Sequence, residues 1–314
     1  MTETEIKIKP MVGGQAVIEG VMIRSPEKIS VAVRQKNGKI LLKDENFLSI
    51  TQKNRFFSLP FIRGGVILFE SLYLGLKNLS WSSKVALIDE QNEKHSNKIE
   101  KISNLMTFFT VFIGIGLGII LFFYIPLIIT DLTGLKSGFY YNVVDSFIRI
   151  VIFLSYILLI SKWKEIQRIF QYHGAEHKSI FAYENGYKLT IENAQKFGTQ
   201  HPRCGTSFIA MVILVSFFIF LLLGTPETIS DKITRFLFIP IIGGLSYELI
   251  KITDKHKYKR LIKFTIIPGL WLQKITTKEP DEKQLKVGLI ALRSSLGENV
   301  FNDPDIILYN NELI

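Results

Sequence analysis

LMTFFTVFIGIGLGIILFFYIPLIIT, the run from Leu105 to Thr130, decides the fold class. No charged residue occurs between Ile102 and Thr130. A helix needs roughly 20 apolar residues to cross a hydrocarbon core about 30 Å thick, and this run exceeds that. Pro126 is placed to bend its far end. Three further stretches have the same character. One runs from about Val143 to Ser161, with Arg149 near an end, and a second is the almost unbroken Ser207 to Gly224. The last is about Ile233 to Ile250 and contains Gly243, Gly244 and Glu248. The second and fourth stretches also suit helices buried in a soluble domain. Taken together, the four predict a mainly α membrane protein of about four transmembrane helices.

The rest of the composition agrees. Of 314 residues, 47% are apolar and 21% charged, which excludes a disordered chain, a fibrous repeat and a disulfide miniprotein. A single cysteine, Cys204, rules out an intramolecular disulfide. The first hundred residues carry no basic start followed by a short apolar core, so no signal peptide is expected. Lys and Arg total 38 against 28 Asp and Glu, a net charge of +10. They concentrate before the first span, from Lys162 to Arg203, and from Lys251 onward. Lys136, Arg149, Lys232 and Arg235 lie in or beside the other two loops. Basic loops stay in the cytoplasm, so the expectation is a multi-pass protein of the cytoplasmic membrane with both termini and the middle loop inside. The charge is then topological. No basic recognition module supports a nucleic-acid partner, and the expected partner is the lipid bilayer.

Residues 1–55 read as a small cytoplasmic α/β region with a β-hairpin. Lys28 to Leu42 alternates around Lys36-Asn37-Gly38, a hairpin turn signal. Residues 56–104 read as an interfacial helix (Arg63 to Trp81, packed in the interface or on the spans) and a polar linker from Asp89 to Lys101. Residues 105–250 form the four-span domain, with a cytoplasmic loop over 162–206. That loop predicts a helix from Lys162 to Tyr183, stopped by Asn185-Gly186, and a short helix from Thr190 to Phe197. Residues 251–314 form a C-terminal helical region. It starts with a basic cluster, Lys255 to Arg260, and has an interfacial stretch from Ile266 to Ile275 anchored by Trp271. A last helix is expected from Asp281 to Leu296.

His173-Gly174-Ala175-Glu176-His177 carries the strongest chemical signal. Positions four apart share one helix face, so both imidazoles can reach one metal ion. Glu176 beside them can take a proton from water activated by that ion. The order H-x-x-E-H is the inverse of the common zinc-protease pattern. A catalytic zinc keeps one position open for water and lowers its pKa to about 7. The plainer reading is a juxtamembrane helix whose His and Glu face water, and Gly174 weakens regular helix there. Glu248 is the leading third ligand, because an ionisable residue within a span is costly unless it is paired or functional. Its plain alternative is a headgroup-level pair with Lys251. His201-Pro202-Arg203-Cys204-Gly205-Thr206-Ser207 begins the third span. There His201 or Cys204 can ligate, Cys204 can act as a nucleophile or simply pack, and Arg203 can hold a phosphate or carboxylate. Gly13 to Arg24, with three glycines around Glu19, reads first as a tight turn feeding a strand. On this topology all of these stretches converge at one membrane face.

Five segments together resemble the YqhQ-like family of bacterial membrane proteins. They are GGQAVIEGVMIRSP (13–26), YHGAEHKSIFAYE (172–184), HPRCGTSF (201–208), GLSYE (244–248) and KEPDEKQLKVGLIAL (278–292). The resemblance spans nearly the whole chain, with mild substitutions at Ile18, Ile23 and Ser179. It implies a metal-dependent enzyme of no defined substrate, with His173, Glu176, His177, His201, Arg203, Cys204 and Glu248 at its site.

The expected function is a zinc-type, metal-dependent hydrolase at the cytoplasmic interface. Its metal ligands are drawn from His173, His177, Glu248 and His201, and Glu176, Arg203 and Cys204 are its catalytic candidates. A divalent ion is the cofactor, with zinc favoured because nitrogen ligands suit it. The substrate is a membrane-proximal peptide or a lipid headgroup. The rival reading is a non-enzymatic assembly factor or transporter accessory, whose Gly-rich spans pack helices and whose basic face holds anionic lipid.

Overall fold

The computed structural model describes residues 9–60, 62–87, 109–136, 138–255 and 260–309. The expected linker from Asp89 to Lys101 and the centre of the Lys255 to Arg260 cluster lie outside them.

The N-terminal region is an antiparallel meander, β1 (Gly13–Val17), β2 (Gly20–Arg24), β3 (Lys28–Arg34) and β4 (Ile40–Asn46). The expected hairpin is the β3–β4 pair, in which Arg34 faces Ile40 across a turn holding Gly38 at φ 89°. The glycine-rich stretch forms the β1–β2 pair, whose two-residue turn places Glu19 at φ 55°. A fifth strand, β5 (Ile306–Leu308), joins β4 in parallel. Three residues near the end of the chain give no periodicity, so this strand was invisible in the sequence.

Both faces of the sheet are covered, which explains why β3 is buried along its length. Alternate residues serve different layers. Val21, Ile23, Ala32, Ile40 and Leu42 pack on Tyr172, Ile180, Val287 and Ile290. Met22, Ile29, Val31, Val33 and Leu41 pack on Leu74, Trp81 and Val85. A short helix α1 (Ile50–Lys53) follows the sheet. The second layer belongs to α2 (Ile62–Leu87). The helix was expected in the interface or on the spans; α2 packs on the fourth span and also grips the sheet at its far end. At its start it lies so close to the fourth span that a Cβ on Gly64 would fall 2.7 Å from the Gly244 carbonyl oxygen.

Four stretches are long and apolar enough to cross a membrane, as expected. They are α3 (Phe109–Asp131), α4 (Gly138–Ile160), α7 (Gly205–Leu223) and a segment over Ile229–Ile252, which turns at Phe238 between α8 (Ile229–Leu237) and α9 (Ile239–Lys255). They expose large apolar side chains such as Phe112, Phe147 and Leu222, the pattern of helices solvated by lipid. Arg149 and Arg235 both meet Asp145 inside the bundle. Arg149 bonds Asp145 at 2.9 Å and donates to the Phe122 carbonyl at 2.7 Å. Phe122 sits in a π-helical turn, Ile120–Tyr124, where the wider ladder frees a carbonyl for such use.

Between the second and third spans run α5 (Lys164–Glu184) and α6 (Ile191–Gln195), close to the expected helices. After the fourth span, α10 (Arg260–Thr276) returns along α7, where Gly269 meets Ser207. Then α11 (Glu282–Ser295), capped by Asp281, crosses α5 at Gly288, where a Cβ would meet Ser179 and Ala175. Sheet, α5 and α11 share one core. Three segments far apart in sequence are thus one body, which puts them on the same side of the four spans.

Candidate metal centre

α5 places its chemistry along one stripe. His173, His177, Phe181 and Glu184 recur at spacings of four, four and three, so all face the segment from Thr199 to Cys204. The stripe ends where Asn185 caps the helix and Gly186 takes φ 77°. Gly174 is required here rather than tolerated. A Cβ would fall 2.1 Å from the Lys278 carbonyl oxygen, because the segment entering α11 lies flat on α5. The Lys278 amide fixes that contact by donating to the Phe170 carbonyl at 2.9 Å.

The rings of His173 and His177 lie 4.4 Å apart. Each spends its Nδ1 on a backbone carbonyl, His173 on Thr276 at 2.8 Å and His177 on Thr199 at 2.5 Å. A carbonyl can only accept, so both Nδ1 atoms carry the proton and both Nε2 atoms present a lone pair. Metal-ligating histidines are oriented by this kind of second contact. His173 Nε2 lies 3.1 Å from Cys204 Sγ, and Cys204 also bonds His177. The ligand atoms of His173, His177 and Cys204 all fall within 4.8 Å of one another. Ligand atoms about 2.0–2.3 Å from one tetrahedral zinc lie about 3.3–3.7 Å apart, so a closing shift of roughly 1 Å completes the set. Burial holds the His177 imidazole below its ordinary range, helped by the neighbouring His173 and opposed by Cys204 and Thr199. A neutral ring is the ligating form.

Cys204 reaches this position as the N-cap of α7, where its sulfur accepts from the Thr206 amide and hydroxyl. Glu176 lies one turn from His173, pressed on β1. A Cβ on Gly14 would fall 2.8 Å from its carboxylate, and the Gly14 amide donates to it. Burial pushes the Glu176 carboxyl above the usual carboxylate range, against the pull of His173, His201 and that amide. The glycine-rich stretch is therefore both the expected turn and a wall of the site.

Two expected ligands stand elsewhere. Glu248 forms a two-pronged pair with Arg63 of α2, at 2.6 and 2.5 Å. That partner is neither the histidine pair nor Lys251, and the residue standing beside His173 and His177 is Cys204. The Gly64–Gly244 contact brings the two charges together. His201 is held at every polar edge. Its Nδ1 accepts from the Arg203 amide at 3.2 Å, so its Nε2 carries the proton toward Glu184, also at 3.2 Å. Its backbone is clamped by Gln273, and its ring lies tilted against Phe181 at 4.4 Å. Both of its ring nitrogens are engaged by the protein. Arg203 likewise meets the carboxylate of Glu184, where an external anion was expected. Glu184 is the residue the sequence reading missed. Its position on the His173–His177 face, near an arginine and a histidine in need of a partner, was the available signal.

Comparison with known proteins is consistent with a single family. Residues 59–298 match the model of a family described as a protein of unknown function (DUF1385). The chain belongs to that family. It is 34% identical over 304 residues to the uncharacterized protein YqhQ of Bacillus subtilis (strain 168), covering 92% of this chain and 93% of that one. No solved structure matches the chain. The match takes in the His173, Cys204 and Glu248 segments alike, so the site and its supports fall within family sequence.

Proposed function

We propose that the chain is a zinc-type, metal-dependent enzyme, a hydrolase, working at the cytoplasmic face of the membrane. The observation that carries this is the pair of Nε2 lone pairs converging with one sulfur. Both Nδ1 protons are tied to carbonyls, so the two rings are already set in the ligating tautomer. Three protein ligands of mixed nitrogen and sulfur type suit zinc and leave one position open, the arrangement of catalytic rather than structural sites. A copper site with the same donors would add a distant axial thioether.

A zinc-type ion held there would supply Lewis acidity and acidify water at its open position. The chain's own residues do the rest. Glu176, kept buried and of raised pKa, takes the proton from the attacking water and returns it to the leaving group. Thr276 and Thr199 hold the rings in register. The Glu184–His201–Arg203 group fixes the loop that carries Cys204. The basic residues of the body formed by the sheet, α5 and α11 support the cytoplasmic placement.

Metal analysis of the protein purified in detergent is the test. One equivalent of zinc is expected, lost in His173→Ala and Cys204→Ser and retained in Glu176→Gln and Glu248→Ala. A metal-free protein, or one whose metal survives His173→Ala, overturns the reading. Glu176→Gln separates the rival scaffold role, because an assembly factor tolerates that change and a hydrolase loses turnover.

A further inference from the structure

A cavity of about 840 Å³ lies between α4, α7 and α10. Its walls include Ile150, Phe153, Met211, Leu214 and Leu272; Ser146 is the one hydroxyl residue and no charged residue lines it. The volume falls in the range of about 300–1,000 Å³ seen for small-molecule sites. Two of its three walls are spans, so the cavity lies at the depth of the membrane-crossing segments.

The same helices build the metal centre. Ala210 lines the cavity six residues beyond Cys204, about 9 Å along α7 at a 1.5 Å rise per residue. Ile275 lines it next to Thr276, whose carbonyl orients His173. Cavity and centre are therefore consecutive along α7 and α10. We propose that the cavity takes the hydrocarbon chain of a bilayer lipid whose polar head lies at His173, His177 and Cys204, so that the substrate is a lipid rather than a peptide. This rests on the metal-centre reading. Chemistry separates the two substrate classes. A peptide backbone in this cavity would leave its N–H and C=O groups without partners, whereas an acyl chain has none to satisfy.

The test uses the full chain in vesicles of phosphatidylethanolamine and phosphatidylglycerol with a trace of phosphatidylethanolamine carrying a diazirine in its acyl chain. After illumination, label is expected at Ala210, Leu214 and Leu272, at least several-fold above that at Leu158 and Leu222, which face bulk lipid. Ala210→Trp, and independently Leu214→Trp, should cut the cavity label several-fold while the zinc content stays at one equivalent. Label spread evenly over the lipid-facing residues, or unchanged in both variants, overturns the proposal. Cavity labelling in a protein that holds no metal would sink the catalytic reading and leave a lipid-binding cavity standing, so the two failures are distinguishable.

Discussion

Gly174 sits inside the H-x-x-E-H motif for a reason outside it. As a poor helix former it argued against the motif, yet its missing side chain is what lets Lys278 lie on α5 and bring Thr276 up to His173. Gly174→Ala should destabilise the protein by about 1–3 kcal/mol, the cost of overpacking a closed contact, and lower zinc content with it. Thermal unfolding in detergent beside metal analysis checks both. The Glu248–Arg63 pair makes the contrasting case. Its side chains are 11% and 26% exposed, between the surface and buried regimes, so Glu248→Ala should cost about 1–3 kcal/mol without touching the metal. Glu184 titrates the support of the site. Burial works against its charge, but the hydrogen bond and charge of His201, with Arg203, outweigh it and hold the carboxyl below its ordinary 4.5. A lowered folded-state value means stability present above 4.5 and lost as pH falls through the lower folded value. Glu184→Gln should flatten that part of a melting-temperature profile taken between pH 6 and 3.

Elements were legible where one period governed them. The four spans, α5 and the β3–β4 hairpin could be read because apolar length, a stripe along a helix face, or alternation around Asn37-Gly38 was local. What escaped depended on neighbours. Arg63 to Trp81 read as interfacial or packed on the spans; its contact with the fourth span through Gly64 fits the second reading, and what escaped was the sheet it also serves through Leu74 and Trp81. At the site, the closeness of His173 and His177 was legible because a helix fixes the spacing, while the residue that joins them was not. Glu248 led and Cys204 was one alternative, until a tertiary contact gave Glu248 to Arg63 and the cap of α7 brought Cys204 to the histidines. Asp281 caps α11 with a reciprocal bond to Gln284. Asp281→Ala should cost about 1 kcal/mol, the usual value of a lost cap, again by thermal unfolding, and loosen the segment that seats Lys278 on α5.

At the scale of the molecule, β5 supplies a topological argument that charge alone could not. Ile306 pairs with Ile40, and α11 packs on β2 and β3, so the chain before the first span and the chain after the last one meet in a single core. That requires an even number of crossings, and α5 in the same core requires two of them on each side of it. The positive-inside rule then needs only to choose which face the body occupies, and the orientation we propose, from the basic residues flanking it, is the cytoplasmic one. Cys204 reports on that choice, since it is the single cysteine of the chain and stands where α7 leaves the body. In intact cells, a membrane-impermeant maleimide should leave Cys204 unlabelled. The same reagent should label it after permeabilisation with a chelator present, because a bound ion would otherwise mask the sulfur. Labelling in intact cells would invert the protein and move the metal centre to the opposite face. Labelling after permeabilisation that is equally fast with and without chelator would leave the orientation in place and remove Cys204 from the ligand set.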